Sequence, residues 1–223
     1  MSKTLPFLPE VILFDMDGVI LDSMKYHESA WREVLRMAGV ETSPEDIYRR
    51  EGMSGVASVK EIFRDKGVPV PEDAVIEELI EKKHSIFNSE RVELFKGVEP
   101  LIKGLVKKKV PLGLVTGSHI STVRECLSAP VRDAFKVIVS ADDVVKGKPS
   151  PEPYLAALEK LRAAPDRALV VENAPMGIAS ASAAGIYCIA IETTLPQEYL
   201  KGADMIVRNH EALAGTLDFI CSS

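Results

Sequence analysis

Val11-Ile12-Leu13-Phe14-Asp15-Met16-Asp17-Gly18-Val19 is an apolar run that stops at two aspartates one residue apart, with a glycine behind them. Four consecutive apolar residues of high strand propensity read as a strand buried on both faces, and its end places two carboxylates at the rim of a sheet. An Asp-Gly turn accounts for Asp17 and Gly18. It leaves Asp15, next to the buried segment, in need of a partner. That partner must come from further along the chain.

Downstream, from Phe95-Lys96-Gly97, short apolar runs alternate with helical spacing, the pattern of a doubly wound parallel sheet. Pro100 to Lys108 reads as a helix with Leu101, Ile102, Leu105 and Val106 on one face, and Pro111 to Val115 as a strand ending in Thr116-Gly117-Ser118. Val137 to Val139 is the next strand. Pro153 to Leu161 reads as a helix burying Tyr154, Leu155, Leu158 and Leu161. Leu169 to Val171 is a strand ending in Glu172-Asn173, and Ile189 to Ile191 and Met205 to Val207 close the sheet.

The stretch between about residues 24 and 92 carries no convincing strand. Ala30, Val34, Leu35, Met37 and Ala38 have helical spacing up to Gly39. Ser43-Pro44-Glu45-Asp46 is a capping serine, a proline at the first helical position and two acids in the first turn, with Gly52 as a stop signal. Pro71 to Asn88 is a further helix with Val75, Leu79, Ile80 and Ile86 as candidate buried positions. The expected fold is therefore α/β: a doubly wound parallel-sheet core from residues 1–23 and 93–223, interrupted by an all-helical insertion over 24–92.

With 223 residues the chain can bury a full core, and 46% hydrophobic with 27% charged residues is ordinary globular composition. A net charge of -6 argues against nucleic acid as a main partner, because phosphate-backbone binding needs a basic surface. Neither a signal peptide nor a membrane span is evident, so the expected location is the cytoplasm and no membrane partner is expected. Cys126, Cys188 and Cys221 are far apart and lack metal-ligand spacing; they read as reduced thiols, with Cys188 in the core.

In an open parallel sheet, ligands bind beyond the carboxyl ends of the strands. Three strands deliver polar groups there: Asp15 and Asp17, Thr116 to Ser118, and Glu172 with Asn173. Lys148, in Lys146-Gly147-Lys148-Pro149-Ser150-Pro151, can reach the same place from a loop. Carboxylates and an amide carbonyl are hard oxygen ligands suited to magnesium. The Thr116 hydroxyl and the amides of Gly117 and Ser118, ahead of a helix beginning near Ile120, suggest an anion site to which Lys148 adds charge. Phosphate is the anion that best matches this gathering.

At these residues the chain resembles the haloacid dehalogenase superfamily. The four motifs are Asp15-Met16-Asp17-Gly18-Val19, Val115-Thr116-Gly117-Ser118, Lys148-Pro149-Ser150-Pro151 and Glu172-Asn173-Ala174-Pro175-Met176-Gly177. The resemblance implies a helical cap over residues 24–92. It implies magnesium held by Asp15, Asp17, Glu172 and Asn173, with Asp17 offering its backbone carbonyl. It also implies phosphate held by Thr116, Gly117, Ser118 and Lys148, attack by Asp15 to give an aspartyl-phosphate, and acid/base work by Asp17. The fourth motif departs from the usual Glu-Asp: Asn173 keeps an oxygen ligand and removes a charge.

Asp15 to Trp31 is similar to the β-phosphoglucomutase branch, with Asp22, Ser23, Tyr26, His27 and Trp31 at matching spacing. There His27 links cap closure to the general acid; the competing reading is a helix-surface histidine without a role. Trp31 reads as packing. Relatives that isomerise sugar phosphates carry an arginine near Gly55 of Glu51-Gly52-Met53-Ser54-Gly55-Val56, and none stands there. Ser54, Gly55, His27 and Lys83 are the cap candidates for substrate contact, and Arg49, Arg50, Lys82 or Lys83 are candidate substitutes for the arginine. The expectation is a magnesium-dependent phosphatase acting on a small phosphorylated metabolite, as a monomer or weak dimer, with a β-phosphoglucomutase-type phosphomutase as the alternative.

Overall fold

The structure, a computed structural model, describes residues 7–88 and 90–220, with side chains as far as Asp218; Cys221 and the first six residues lie outside them. Six parallel strands form one sheet: β1 (Val11–Phe14), β2 (Leu112–Val115), β3 (Val137–Val139), β4 (Ala168–Glu172), β5 (Tyr187–Ile191) and β6 (Met205–Val207), in the order β3-β2-β1-β4-β5-β6. The quoted stretch supplies the central strand: Ile12 lies opposite Leu112 of β2 on one side and Leu169 of β4 on the other. Successive side chains of a strand face opposite ways. Ile12 and Phe14 thus join one core layer, with Leu101, Leu105, Val123 and Leu217, while Val11 and Leu13 join the other, with Tyr154, Leu158, Ile178 and Ala181.

The strand order reverses direction at β1. From it the chain builds outward through β2 to β3, then returns to β1's other side for β4, β5 and β6. The connections leaving β1 and β4 therefore part from one another, which opens a crevice beyond their carboxyl ends. Asp15 and Glu172 sit at its two lips.

The helices are α1 (Met24–Met37), α2 (Pro44–Tyr48), α3 (Gly55–Asp65), α4 (Asp73–Phe87), α5 (Val98–Lys107), α6 (Ile120–Cys126), α7 (Ala129–Arg132), α8 (Glu152–Leu161), α9 (Pro175–Ala183) and α10 (His210–Ile220). The first four form a helical lobe with its own core of Val34, Leu35, Ile47, Val59, Ile62, Phe63, Ile76 and Leu79. Ser43 caps α2 in a reciprocal box with Asp46, but that helix stops at Tyr48. Gly52 instead lies in the following turn, at φ +83°.

Several expected buried positions are corrected. Val75, Met37, Val106 and Leu155 are exposed, because each lies at the flank of its apolar stripe. In α4 the buried seam runs Ile76, Leu79, Lys83, Phe87, a helical spacing of three, four and four that passes one residue beyond Val75. Ile80 and Ile86 are only partly buried. That seam carries a lysine inward. Cys126 and Cys188 are free thiols, Cys188 in the core as expected. Among the described residues no helix is long and apolar enough to cross a membrane.

Candidate active site

Lys148 reaches from the loop between β3 and α8 into the crevice and is 3% exposed. Its ammonium donates to Asp15 Oδ1 at 2.5 Å, Glu172 Oε1 at 2.7 Å and the Val115 carbonyl at 3.1 Å. An ammonium has three protons, and all three are used. Glu172 is equally engaged: Oε1 also accepts from the Tyr154 hydroxyl at 2.8 Å, and Oε2 accepts the backbone N–H groups of Asn173 and Ala174. Burial raises the Asp15 pKa, opposed chiefly by Lys148, while the two carboxylates outweigh burial to raise that of Lys148. The 2.5 Å contact to Asp15 with a second carboxylate beside it decides for a charged lysine between two carboxylates.

Two buried acceptors near this cluster lack a partner among the described residues, Asp15 Oδ2 and Asn173 Oδ1. The Asn173 amide is oriented by donation from Nδ2 to Thr194 Oγ1 at 2.8 Å. It also packs against Gly18, where a Cβ would lie 2.0 Å from that nitrogen. Gly18 has φ +81° as well, so the turn after Asp17 has two reasons for glycine. Orphaned buried oxygens are costly unless something meets them. Two hard oxygens of this kind fit a magnesium ion that keeps much of its water. No group of three His, Cys, Asp or Glu side chains is gathered as a cation cage among the described residues. Glu172, expected as a ligand, has both oxygens committed to lysine, tyrosine and backbone.

Asp17 is surrounded by donors. Oδ1 accepts from Ser23 Oγ at 2.6 Å and His27 Nε2 at 3.0 Å, and Oδ2 from Ser118 Oγ at 3.1 Å and, at 3.5 Å, Thr116 Oγ1. Ser23 stands at the N-cap position of α1, yet its hydroxyl serves Asp17 rather than the helix. Lys83 Nζ lies 2.8 Å from His27 Nδ1. A lysine ammonium only donates, so Nδ1 accepts, and the Nε2 proton points at Asp17. Burial foremost, then Lys83, pulls the His27 pKa down, in keeping with that neutral tautomer. Burial alone would raise Asp17; His27, Ser23 and Lys83 together bring it down to about 2. The His27 charge is the largest of these influences and the neutral tautomer lacks it, so the hydrogen bonds from His27 and Ser23 and the Lys83 charge are what favour the carboxylate there.

His27 is thus no surface histidine. It is 5% exposed and stacks on Phe87 with ring centroids 4.1 Å apart. Lys83, a candidate for holding a substrate phosphate, gives one of its three protons to His27 and lies over the rings of Trp31 and Phe87. Some of the expected anion donors are also used internally. Thr116 Oγ1 accepts the Ser118 N–H at 3.0 Å, and the Ile120 N–H that opens α6 donates to Asp142 Oδ2 at 2.8 Å. Gly117 lies against the lobe: a Cβ there would be 3.1 Å from the Gly52 carbonyl oxygen.

A cavity of about 280 Å³ lies between the lobe and the sheet edge, lined among others by His27, Trp31, Glu51, Ser54, Lys83 and Ser118. Ser54 caps α3 by accepting the Ala57 N–H at 3.3 Å, and Gly55 faces Ile80. Three participants escape the sequence reading. Tyr154 shares a helical face with Leu158 and reads as core, its hydroxyl being the unread part. Ser23 carries part of the resemblance but no role is read for it, and Glu51 stands in the stretch before Gly55 without one.

A parallel sheet whose switch point holds a lysine-bridged carboxylate pair and a second aspartate defines an enzyme of phosphoryl-transfer type. A family model described as "Haloacid dehalogenase-like hydrolase" matches residues 12–191, and the chain belongs to that family. A validoxylamine A 7'-phosphate phosphatase from Streptomyces hygroscopicus subsp. limoneus is 31% identical over 203 residues, covering 90% of this chain and 93% of that protein. A beta-phosphoglucomutase from Bacillus subtilis (strain 168) is 26% identical over 205 residues, covering 89% of each. The crystal structure of a hydrolase from Pseudomonas syringae superimposes with a TM-score of 0.86 at 27% identity, covering 94% of this chain and 98% of that one.

Proposed function

We propose that this enzyme is a magnesium-dependent phosphatase that releases inorganic phosphate from a small phosphorylated metabolite, with residues 24–92 as its cap. One observation carries the choice of hydrolysis over mutation. The two Lys and Arg side chains that line the cavity, Arg50 and Lys83, are both paired within the protein. Arg50 donates to Asp65 and to the Asp46 carbonyl and lies in ion-pair range of Glu61 at 3.4 Å, its Nε making no hydrogen bond; Lys83 donates one proton to His27. Of the other substitutes, Arg49 lies over the Tyr199 ring at 5.7 Å. A mutase needs a cation for the second phosphate of its bisphosphate intermediate. A phosphatase needs only room for water.

In this reading Asp15 attacks phosphorus; its bond to phosphorus forms as the bond to the substrate oxygen breaks. Asp17 gives that oxygen a proton, then takes one from the water that displaces Asp15. As placed, Asp17 is ionised, the form needed for the second half. For the first half it must leave some of its donors and gain a proton. Lys148 holds Asp15 in position, and with Thr116, Gly117 and Ser118 it meets the transferring oxygens once substrate displaces internal partners. Asp15, the Asp17 carbonyl and Asn173 would hold a magnesium ion, which would supply screening of the carboxylate from the phosphate. Glu172 serves the ion through Lys148 and the loop it braces.

Incubating the protein with magnesium and a panel of sugar phosphates tests this, with inorganic phosphate as the expected product. Glucose 6-phosphate formed from β-glucose 1-phosphate without phosphate release would instead establish the mutase reading. An Asp15→Asn variant that kept full activity would overturn the nucleophile assignment.

A further inference from the structure

Glu51 is the cavity's unassigned charge. It follows α2 in the turn to Gly52, its N–H donates to the Tyr48 carbonyl at 3.3 Å, and it lines the cavity beside His27, Trp31 and Lys83. No hydrogen bond or ion pair is formed by its carboxyl among the described residues. Its neighbour Arg50 does the reverse, directing its guanidinium to Asp65 and Glu61 on α3. The loop thus commits its cation to α3 and leaves its acid unpaired at the cavity.

We propose that Glu51 makes the cap end of the cavity a subsite for the hydrogen-bond-donating end of a monophosphate, hydroxyl or ammonium, and selects against substrates with a second phosphate there. This rests on the reading above, in which the first phosphate lies at Asp15. Glycine at position 55 fits the same selection, since a Cβ there would meet Ile80 at 3.0 Å. A longer side chain must move Ile80 aside.

Chemical state does not reverse the preference. Burial, reinforced by the field of Asp17 and opposed by Lys83, pushes the carboxyl up to about 8, so it is only partly ionised while the cavity is empty. Ionised, it repels a phosphate dianion. Neutral, it offers one proton to a dianion that needs several donors or a cation. A hydroxyl or ammonium finds an acceptor in either state, and an ammonium favours the ionised one.

Binding to the full chain carrying Asp15→Asn, which blocks turnover, tests this by calorimetry in magnesium buffer with glucitol 6-phosphate, glucosamine 6-phosphate and fructose 1,6-bisphosphate. The expected result is that at least one of the two monophosphates binds tenfold or more tighter than the bisphosphate. Whichever is tighter identifies hydroxyl or ammonium as the preferred donor. Adding Glu51→Lys is expected to lower that ratio at least tenfold, and adding Glu51→Gln, which keeps the shape if the lysine variant fails to fold, at least threefold. A bisphosphate bound within tenfold of both monophosphates, no binding of any of the three, or ratios that the variants leave in place would overturn the proposal. Phosphate release from p-nitrophenyl phosphate by the unmodified protein is read separately. Its absence with the ratio intact removes the proposed reaction and leaves the subsite, whereas release without the ratio does the opposite.

Discussion

Replacing Gly177 with alanine sets helix propensity against the site's central ion cluster. The glycine lies in the first turn of α9, where alanine would ordinarily favour the helix by up to about 1 kcal/mol. A Cβ at this position would lie 1.7 Å from Glu172 Oε1 and 2.0 Å from its carboxyl carbon, far inside contact distance. The obstructing group is no flexible end, because Lys148, Tyr154 and two backbone N–H groups hold that carboxylate. Moving it breaks hydrogen bonds to a charged group, about 1.5–3 kcal/mol each, within a buried ion pair whose rupture is worth about 3–5 kcal/mol. Steric loss outweighs propensity, and the expected net destabilisation is about 2–4 kcal/mol. Urea denaturation at constant pH reads it as a lowered midpoint, with phosphate release falling alongside. Gly215→Ala is the control, since that exposed glycine lies in α10 with nothing within 4 Å of its Cβ position; it should be neutral or stabilising by up to about 1 kcal/mol. A Gly177→Ala protein less than about 1 kcal/mol below the parent would refute the idea that Glu172 is held rigidly.

Asn173→Asp should lower the half-saturating magnesium concentration roughly tenfold, about 1.4 kcal/mol, by adding a charge to an orphaned oxygen; an unchanged magnesium titration removes Asn173 from the ligand set. Tyr154→Phe deletes a hydroxyl that donates to buried Glu172 and should destabilise by about 1.5–3 kcal/mol in the same denaturation assay. His84, near His119 at the cavity, is pushed down to about 4 by burial first and then by Lys83 and other histidines. The unfolded chain therefore binds the extra proton between about pH 6.5 and pH 4, and stability should fall as pH drops through that window. His84→Gln should flatten the decline between pH 7 and pH 5, and an unaltered slope would count against this origin.

Much of the fold was legible because backbone hydrogen bonding and burial act locally. The run Val11 to Phe14 has no polar residue for a solvated face, so it must be a central strand, and the later apolar runs could only join it in parallel through intervening helices. The misplaced positions, Val75, Val106 and Leu155, are apolar residues at stripe edges, where periodicity cannot say which way the neighbouring element lies. The candidate site was legible as a gathering, since strand ends of a parallel sheet share one edge. Its wiring was not. Lys148 looked like a free cation for phosphate but has all three protons in use, and Lys83 looked like a candidate for substrate contact but lies on the buried seam of α4 against His27.

The sequence by itself determined the sheet, the helical stretch within it and the edge at which Asp15, Asp17, Thr116, Lys148 and Glu172 meet, because each follows from residue types at short range. Only the tertiary structure decided which groups are paired and which are left facing the cavity. Pairing depends on approaches between residues far apart in the chain: Lys148 with Asp15, His27 with Lys83, Arg50 with Asp65. Those contacts engage Arg50 and Lys83, the lysine and arginine of the helical lobe that line the cavity, and leave the Glu51 carboxyl without a partner among the described residues.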